Sequence, residues 1–175
     1  MLIREASLND VVSIAQIHVD TSRSTYKDII PESHLAKLTY EKRQKAWSQI
    51  LNEASNNGQF TYVAENSSGQ IIGFANGGSE RTSDPVYLGE LNAIYISEEY
   101  QRKGIGRSLT LTIAERLAEE NIFSMLVWVL SDNPACKFYE ALGGKQIYSQ
   151  QIERGGVKLG EVAYGWIDTN DLINF

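Results

Sequence analysis

The chain has 175 residues, of which 42% are hydrophobic and 22% charged, and its formal net charge is −6. This length favours a single domain, residues 1–175, able to bury about 70% of its unfolded surface. The ordinary composition argues against wholesale disorder. An acidic chain also lacks the basic surface that nucleic-acid binding requires, so we expect no nucleic-acid partner.

The sequence contains no apolar run of the ~20 residues that span a bilayer, so we expect no membrane association. Residues 1–6 fit a first strand and lack the apolar segment of a signal peptide. The single cysteine, Cys136, has no partner for an internal disulfide, which fits a reducing cytosol and a cytoplasmic protein. One cysteine and two histidines also argue against a zinc site or another metal centre.

The first third of the chain predicts a strand followed by two helical regions. Leu2 to Ala6 is the strand candidate, and Ser7 can cap the next helix with Asp10 reaching back from the third helical position. The polar run Thr21–Tyr26 predicts a loop between helices. A second helical region is expected from about residue 32 to residue 54.

From residue 60 the hydrophobic period changes from about four to two, which indicates strands. The predicted elements are strands 60–64, 71–75 and 86–96, a helix from 105 to about 120, a strand 124–130, a helix from Asn133, and strands 145–153 and 157–167. Residues 77–85 are expected to form a loop. The order β-α-α-β-β-β-α-β-α-β-β combines a meander with crossover helices, so the fold class is α/β (α+β) with a mixed sheet.

A glycine-containing turn connects the third meander strand to the next helix. Gly104 and Gly106 lack a Cβ, so the backbone can turn tightly and expose N–H groups at a helix N-terminus, where anions are favoured. Arg102, Lys103 and Arg107 add positive charge at the same place. The segment therefore predicts a phosphate site.

Two common phosphate motifs do not match this turn. A P-loop needs Lys followed by Ser or Thr after its last glycine, whereas Gly106 is followed by Arg107 and Ser108. A dinucleotide fingerprint needs a third glycine, and that position holds Leu109. A tight strand-to-helix turn with incidental basic residues stays open as an alternative.

The remaining pattern resembles the coenzyme A signature of the GNAT (GCN5-related) N-acetyltransferases, (Q/R)-x-x-G-x-(G/A). The segment from Asn133 through Phe138 and Tyr139 to Gly143 is similar to a second motif of that family, and the element order is that of the GNAT fold. The resemblance covers essentially the whole chain. It implies acetyl-CoA as cosubstrate, bound by Gln101, Arg102, Lys103, Gly104, Ile105, Gly106, Arg107 and Asn133.

The same resemblance implies roles for three segments of the site. Glu90 would be the base that removes a proton from the substrate ammonium, directly or through water, and Tyr139 the acid that protonates the leaving thiolate. Backbone groups of Ile94, Tyr95 and Ile96 would bind the thioester and pantetheine. The alternatives are a salt-bridged Glu90, a Tyr139 that only packs in the core, and an Asn133 that only caps its helix.

The expected function is acetyl-CoA-dependent transfer of an acetyl group to a primary amine by direct attack in a ternary complex. Small molecules, amino acids and xenobiotics are favoured as acceptors. A non-catalytic coenzyme A-binding domain, a peptide or protein N-terminal acetyltransferase, and transfer of a longer acyl group stay open. We expect Cys136 to be a small helix-face residue without a catalytic role, and the resemblance leaves a homodimer open as the assembly.

Overall fold

The computed structural model describes residues 1–173. Its strands are β1 (Leu2–Glu5), β2 (Gln59–Glu65), β3 (Ile71–Ser79), β4 (Gly89–Ile96), β5 (Met125–Leu130), β6 (Lys145–Arg154) and β7 (Val157–Trp166). Its helices are α1 (Val11–Tyr26), α2 (Glu32–Leu35), α3 (Tyr40–Asn57), α4 (Ile105–Glu119), α5 (Ala135–Ala141) and α6 (Asn170–Ile173). No helix within these residues is long and apolar enough to cross a membrane.

The seven strands form one sheet in the order β1-β2-β3-β4-β5-β7-β6. Every neighbouring pair is antiparallel except β4 and β5, which are parallel. The parallel pair arises because α4 crosses over between them. The predicted mixed sheet is confirmed.

Each face of the sheet has its own core of buried side chains. Helix α4 packs on one face, where Leu109, Ile113 and Leu117 are fully buried. Helices α1 and α3 pack on the other face, around Ile14 and Phe74. The core that a side chain of a central strand joins therefore shows which face of the sheet this side chain occupies.

A short 3₁₀ turn, Leu8–Asp10, leads into α1, and the predicted contact between Ser7 and Asp10 lies at the start of this turn. The Asp10 carboxylate accepts the Ser7 backbone N–H at 2.8 Å, and the Ser7 carbonyl accepts the Asp10 N–H at 3.0 Å. Arg4 adds a two-pronged contact to the same carboxylate at 2.8 and 2.9 Å. This ion pair lowers the pKa of Asp10 and ties β1 to the helix.

The expected loop at Thr21–Tyr26 was wrong, because α1 continues to Tyr26. The hydroxyls that suggested a loop are used within the helix and against the sheet. Ser24 donates to the Thr21 carbonyl at 3.1 Å, and Thr21 donates to the Ile96 carbonyl at 3.4 Å. Tertiary contacts of this kind override a weak local propensity.

The expected loop at 77–85 was wrong in its first part, because β3 continues to Ser79. Its glycines serve close packing. A Cβ on Gly77 would lie 2.7 Å from an Ile113 methyl group, and one on Gly78 would lie 2.5 Å from the Gly58 carbonyl oxygen. Glycine within a strand often marks such an approach.

Candidate active site

Strands β4 and β5 separate soon after they pair. Their parallel ladder consists of Gly89 opposite Met125 and Glu90 opposite Leu126. Beyond Glu90, the edge of β4 that faces β5 has no strand partner within residues 1–173. A wedge-shaped opening therefore lies between the two strands at the centre of the sheet, with unpaired backbone groups along one side.

A β-bulge in β4 changes which face its side chains occupy. The extra residue opposite β3 is Asn92. Strict alternation along the strand predicts that Glu90, Asn92 and Ile94 share one face. Instead, Ile94 packs with the core on the α4 side, and Asn92 lines a cleft on the other side. Of the three residues, Ile94 alone lies on a different face from the one that alternation predicts.

Glu90 points to the cleft side of the sheet, because the adjacent Leu91 joins the core under α4. Its side chain is 2% exposed and forms a two-pronged ion pair with Arg81, whose Nε lies 2.9 Å from one carboxylate oxygen. The second carboxylate oxygen accepts from the Arg81 Nη2. The salt-bridged alternative therefore describes the present geometry, and both oxygens must be freed, or reached through water, before Glu90 can accept a proton.

The ladder with β3 fixes which backbone groups of β4 face the opening. The Ser97 N–H donates to the Ile72 carbonyl at 3.0 Å. Alternation along an antiparallel pair then directs the N–H and C=O of Tyr95 toward β3, and those of Ile94 and Ile96 toward the opening. The predicted backbone contact of Tyr95 is therefore not available in this ladder, since β3 already uses those groups.

Gln101 closes the end of β4. Its side-chain N–H donates to the Ile96 carbonyl at 3.0 Å, the same oxygen that Thr21 reaches. The carbonyl of Ile96 is thus already used, which leaves its N–H and both backbone groups of Ile94 toward the opening. Gln101 shapes the turn through this bond.

The two glycines of the turn have different physical roles. Gly104 has φ +82°, and a Cβ there would meet nothing within 4 Å, so the position needs glycine for its conformation. Arg102 also has positive φ, +59°. At Gly106, a Cβ would lie 3.1 Å from the Phe138 ring, so this glycine allows α4 to pack against α5. The first N–H groups of α4 have no acceptor within the helix and point out of its N-terminus.

Three tyrosines and Asn133 meet near the opening. Asn133 donates to the Tyr26 hydroxyl at 3.1 Å, and its side-chain oxygen accepts the N–H of Ala135, the first residue of α5, at 2.9 Å. Tyr139 is 4% exposed, and burial raises the pKa of its phenol, with a smaller contribution from Tyr95. Burial raises the pKa of Tyr26 as well. The raised pKa values keep the phenols of Tyr26 and Tyr139 protonated at neutral pH.

A cleft of about 440 Å³ lies on the face of the sheet opposite α4. It is walled by α1, α2, the start of α3, strands β4 and β5, and the β6–β7 hairpin. Two aromatic residues, Tyr26 and Trp128, line this cleft, whereas Trp47 and Tyr164 are buried in the two cores. At its rim, α2 reaches the hairpin, where His34 contacts Gly155.

Asn92 places an unpaired oxygen beside this cleft. The Phe60 carbonyl can only accept a hydrogen bond, so the Asn76 atom that lies 3.2 Å from it is the amide nitrogen. The Asn76 amide oxygen therefore accepts from Asn92, at 3.1 Å. The Asn92 contact therefore uses its amide nitrogen. Its Oδ1 is buried without a partner among the described residues.

Sequence reasoning missed His18 as a site residue. Its ring stacks on Tyr95 with centroids 4.5 Å apart, and its Nδ1 accepts the Trp47 indole N–H at 3.1 Å. The neutral ring then carries its proton on Nε2. The available signal was a histidine within the apolar stripe of α1.

The pH dependence of stability provides a test of the His18 environment. Burial and the nearby Arg43 lower the pKa of His18 from 6.5 to about 4. Between these values the unfolded chain binds the proton and the folded chain does not, so stability is complete above pH 6.5 and falls toward pH 4. We expect His18 to cost the protein about 2 kcal/mol at pH 4.5, after allowance for its partial exposure. Urea unfolding at pH 7 and 4.5 should show a smaller acid loss for His18→Gln than for the unsubstituted protein.

Cys136 lies on α5 and is half-buried. Its thiol sulfur contacts the Leu130 carbonyl oxygen at 3.5 Å. Burial raises its pKa, which disfavours the nucleophilic thiolate. The interpretation of Cys136 as a helix-face residue is the one that this environment favours.

Structural comparison assigns the fold to a class of acyltransferases. A ribosomal-protein-alanine N-acetyltransferase from Brucella melitensis superposes with a TM-score of 0.74 at 23% identity, covering 95% of this chain and 99% of that one. PaiA N-acetyltransferase from Thermoplasma acidophilum, in complex with coenzyme A, gives 0.72 at 21% identity, covering 91% and 96%. At these identities the likeness establishes the fold, which is that of the GNAT acetyltransferases.

Sequence comparison then establishes the family. An uncharacterized N-acetyltransferase of Bacillus subtilis (strain 168), YuaI, is 39% identical over 170 residues, which cover 97% of this chain and 95% of that protein. A family model described as FR47-like protein matches residues 81–153, from Arg81 through the glycine turn to α5 and β6. The chain belongs to the GNAT (GCN5-related) family of N-acetyltransferases.

Proposed function

We propose that this protein transfers the acetyl group of acetyl-CoA to a primary amine of a small molecule, by direct attack in a ternary complex. The observation that carries the proposal is the separation of β4 and β5 after Glu90, between the turn on one side and the cleft on the other. The donor thioester would enter the opening from the turn, and the amine would approach from the cleft.

The donor side has the chemistry that coenzyme A requires. Its pyrophosphate would lie against the N-terminus of α4, where free N–H groups combine with Arg102, Lys103 and Arg107. Its extended, amide-rich pantetheine can pair like an added strand with the open backbone groups of Ile94 and Ile96. A PaiA N-acetyltransferase of the same fold was crystallised with coenzyme A, which supports this assignment.

The reaction can be written with the residues at the opening. Glu90 first takes a proton from the substrate ammonium, directly or through water. The neutral amine then attacks the thioester carbon, its nitrogen loses a second proton to water as the amide forms, and the carbon–sulfur bond breaks. A β4 N–H directed at the carbonyl oxygen would stabilise the oxyanion, an effect worth about 3–4 kcal/mol in comparable sites. The leaving thiolate would take its proton from Tyr139.

Substitutions at Gly104 test the donor site. Gly104→Val forces a β-branched residue into a left-handed conformation, at a cost of about 1–2 kcal/mol, whereas asparagine tolerates it. Since a Cβ here meets no protein atom within 4 Å, packing is not affected. We expect calorimetry to show acetyl-CoA binding at least about 10-fold weaker for Gly104→Val and nearly unchanged for Gly104→Asn. Equal affinity in all three proteins would contradict the assignment of this turn to the coenzyme.

Turnover separates the proposal from its rivals. Release of free coenzyme A from acetyl-CoA should depend on an added primary amine, and the product should carry one acetyl group by mass spectrometry. Binding of acetyl-CoA without thioester cleavage for any amine or peptide would favour a non-catalytic coenzyme A-binding domain. If a longer acyl-CoA reacts faster than acetyl-CoA in direct competition, the longer acyl-CoA would be the donor.

A further inference from the structure

We propose that the acceptor of this enzyme is a free amino acid or a similar small amine with a carboxylate, held by the basic rim of the cleft. The rim consists of Lys37, Arg43 and Arg154. The inference rests on the proposed function, which it deepens by naming the acceptor class. It runs against the overall charge of the chain, which is −6.

The three cations of the rim come from different parts of the fold. Lys37 follows α2, Arg43 lies in the first turn of α3, and Arg154 ends β6. Among the described residues, no carboxylate forms an ion pair with any of them. The Arg154 guanidinium donates a hydrogen bond to the Glu153 backbone carbonyl, at 3.3 Å.

The carboxylate that lines the same cleft does not neutralise the rim. Glu161 accepts a hydrogen bond from Gln150 at 2.7 Å, so one of its oxygens already has a partner. It is one negative charge against three positive ones. Clefts lined by one sign of charge concentrate ligands of the opposite sign.

The rim of the cleft favours an anion, whereas its inner end favours a hydrogen-bond donor. The Asn92 side chain lines the cleft, and its buried Oδ1 has no donor among the described residues. The Glu90 carboxylate, paired with Arg81, lies on the same face of β4. An amine supplies N–H donors, so the nitrogen is favoured at this end, beside the opening between β4 and β5. A molecule with an amine at one end and a carboxylate at the other matches both ends of the cleft.

A positive rim also assists the chemistry. The acceptor arrives largely as an ammonium ion, and it must lose a proton before it can attack. A nearby positive charge disfavours the ammonium form. Burial is the main cause of the lowered pKa of His18, and the charge of Arg43 lowers it further, in the direction expected beside a positive rim. An anchoring carboxylate lets the cleft bind such a molecule in spite of that repulsion.

The test compares matched acceptors that differ at the carboxylate. The sets are L-methionine, L-methioninamide and 3-(methylthio)propylamine, then L-phenylalanine, its amide and phenethylamine, with alanyl dipeptide amides added. We expect kcat/KM for at least one free amino acid to exceed that of its amide by at least about 10-fold, because a charge-assisted bond to arginine is lost. The amides and dipeptides also represent a peptide N-terminus.

Variants connect this preference to the rim. Arg154→Gln and Arg43→Gln should each lower the ratio of kcat/KM for the amino acid to kcat/KM for its amide at least about 5-fold, mainly through KM for the amino acid. Lys158→Gln, in the neighbouring strand and outside the cleft, is the matched control and should keep the preference.

The outcomes separate this inference from the proposed function. Acetylation of amides, simple amines or dipeptides as fast as the amino acids would overturn the acceptor class and leave the transferase function standing. A carboxylate preference that persists in both arginine variants would overturn the role of the rim. No transfer to any of these amines would overturn the proposed function, and the acceptor class with it.

Discussion

Tyr139→Phe is expected to lower kcat by about 10²-fold or more, with KM for acetyl-CoA little changed, because it removes the proton donor for the leaving thiolate. Burial raises the pKa of this phenol, so it is fully protonated when the thiolate forms. Burial also disfavours the charged thiolate, so it raises the pKa of the leaving thiol in the same direction as that of the phenol. Proton transfer from Tyr139 to the thiolate is therefore not opposed by burial of the phenol alone. Steady-state kinetics at saturating amine measures the effect.

Two neighbouring phenols are the controls for this result. Tyr164 packs beside Tyr139 with ring centroids 6.0 Å apart, but its hydroxyl donates to Glu140 at 2.8 Å. Tyr164→Phe should therefore cost about 1 kcal/mol of stability and leave kcat intact. Tyr26→Phe tests the other phenol of the cluster. A large loss in Tyr26→Phe with none in Tyr139→Phe would transfer the acid role to Tyr26.

The leaving group gives an independent check of the same role. A thiol of lower pKa than coenzyme A needs less help from an acid as it departs. With an acetyl thioester of such a thiol, the rate difference between the unsubstituted protein and Tyr139→Phe should shrink. A difference that stays constant across donors would mean that Tyr139 acts through packing.

The order of elements was predictable because it depends on local signals. The change of hydrophobic period near Phe60 separates the helical part from the meander, and the cap at Ser7 lies within three residues of its partner Asp10. The extension of α1 to Tyr26 was not predictable in this way. It depends on the Thr21 hydroxyl reaching Ile96, a residue 75 positions away.

In the candidate site, too, the local features were predictable and the long-range contacts were not. The turn around Gly104 and the cap at Asn133 are local patterns, and the sequence indicates both. The ion pair of Glu90 with Arg81 joins β4 to the loop before it, and His18 reaches Tyr95 from α1, so neither contact follows from a local pattern. The bulge at Asn92 has no local marker, so simple alternation along β4 assigned Ile94 to the wrong face.

Glu90→Gln is expected to lower kcat/KM by about 10²-fold or more, because it removes the base while keeping the shape of the side chain. Its structural cost should be small. Arg81 is 57% exposed at its side chain, so it can turn to solvent when its partner becomes neutral. We expect a loss of about 1 kcal/mol in the free energy of unfolding.

The partner substitution, Arg81→Gln, should behave in the opposite way. It leaves the Glu90 carboxylate, 2% exposed, without its counter-ion, at a cost of about 3 kcal/mol of stability. It also removes both guanidinium hydrogen bonds from the carboxylate, so that, among the described residues, only the backbone N–H of residue 81, at 3.4 Å, stays on one oxygen. Activity per folded molecule should therefore be kept or increased in Arg81→Gln, measured where urea titration shows the variant to be folded.

The pair of variants separates a base from an anchor. If Glu90 served only to hold Arg81 and the loop before β4, either substitution would break the same ion pair, and both would lose the same fraction of activity. A base predicts a large loss in Glu90→Gln alone. Because the ion pair occupies both oxygens in this structure, an increase in Arg81→Gln would also show that Arg81 restrains the base until the acceptor binds.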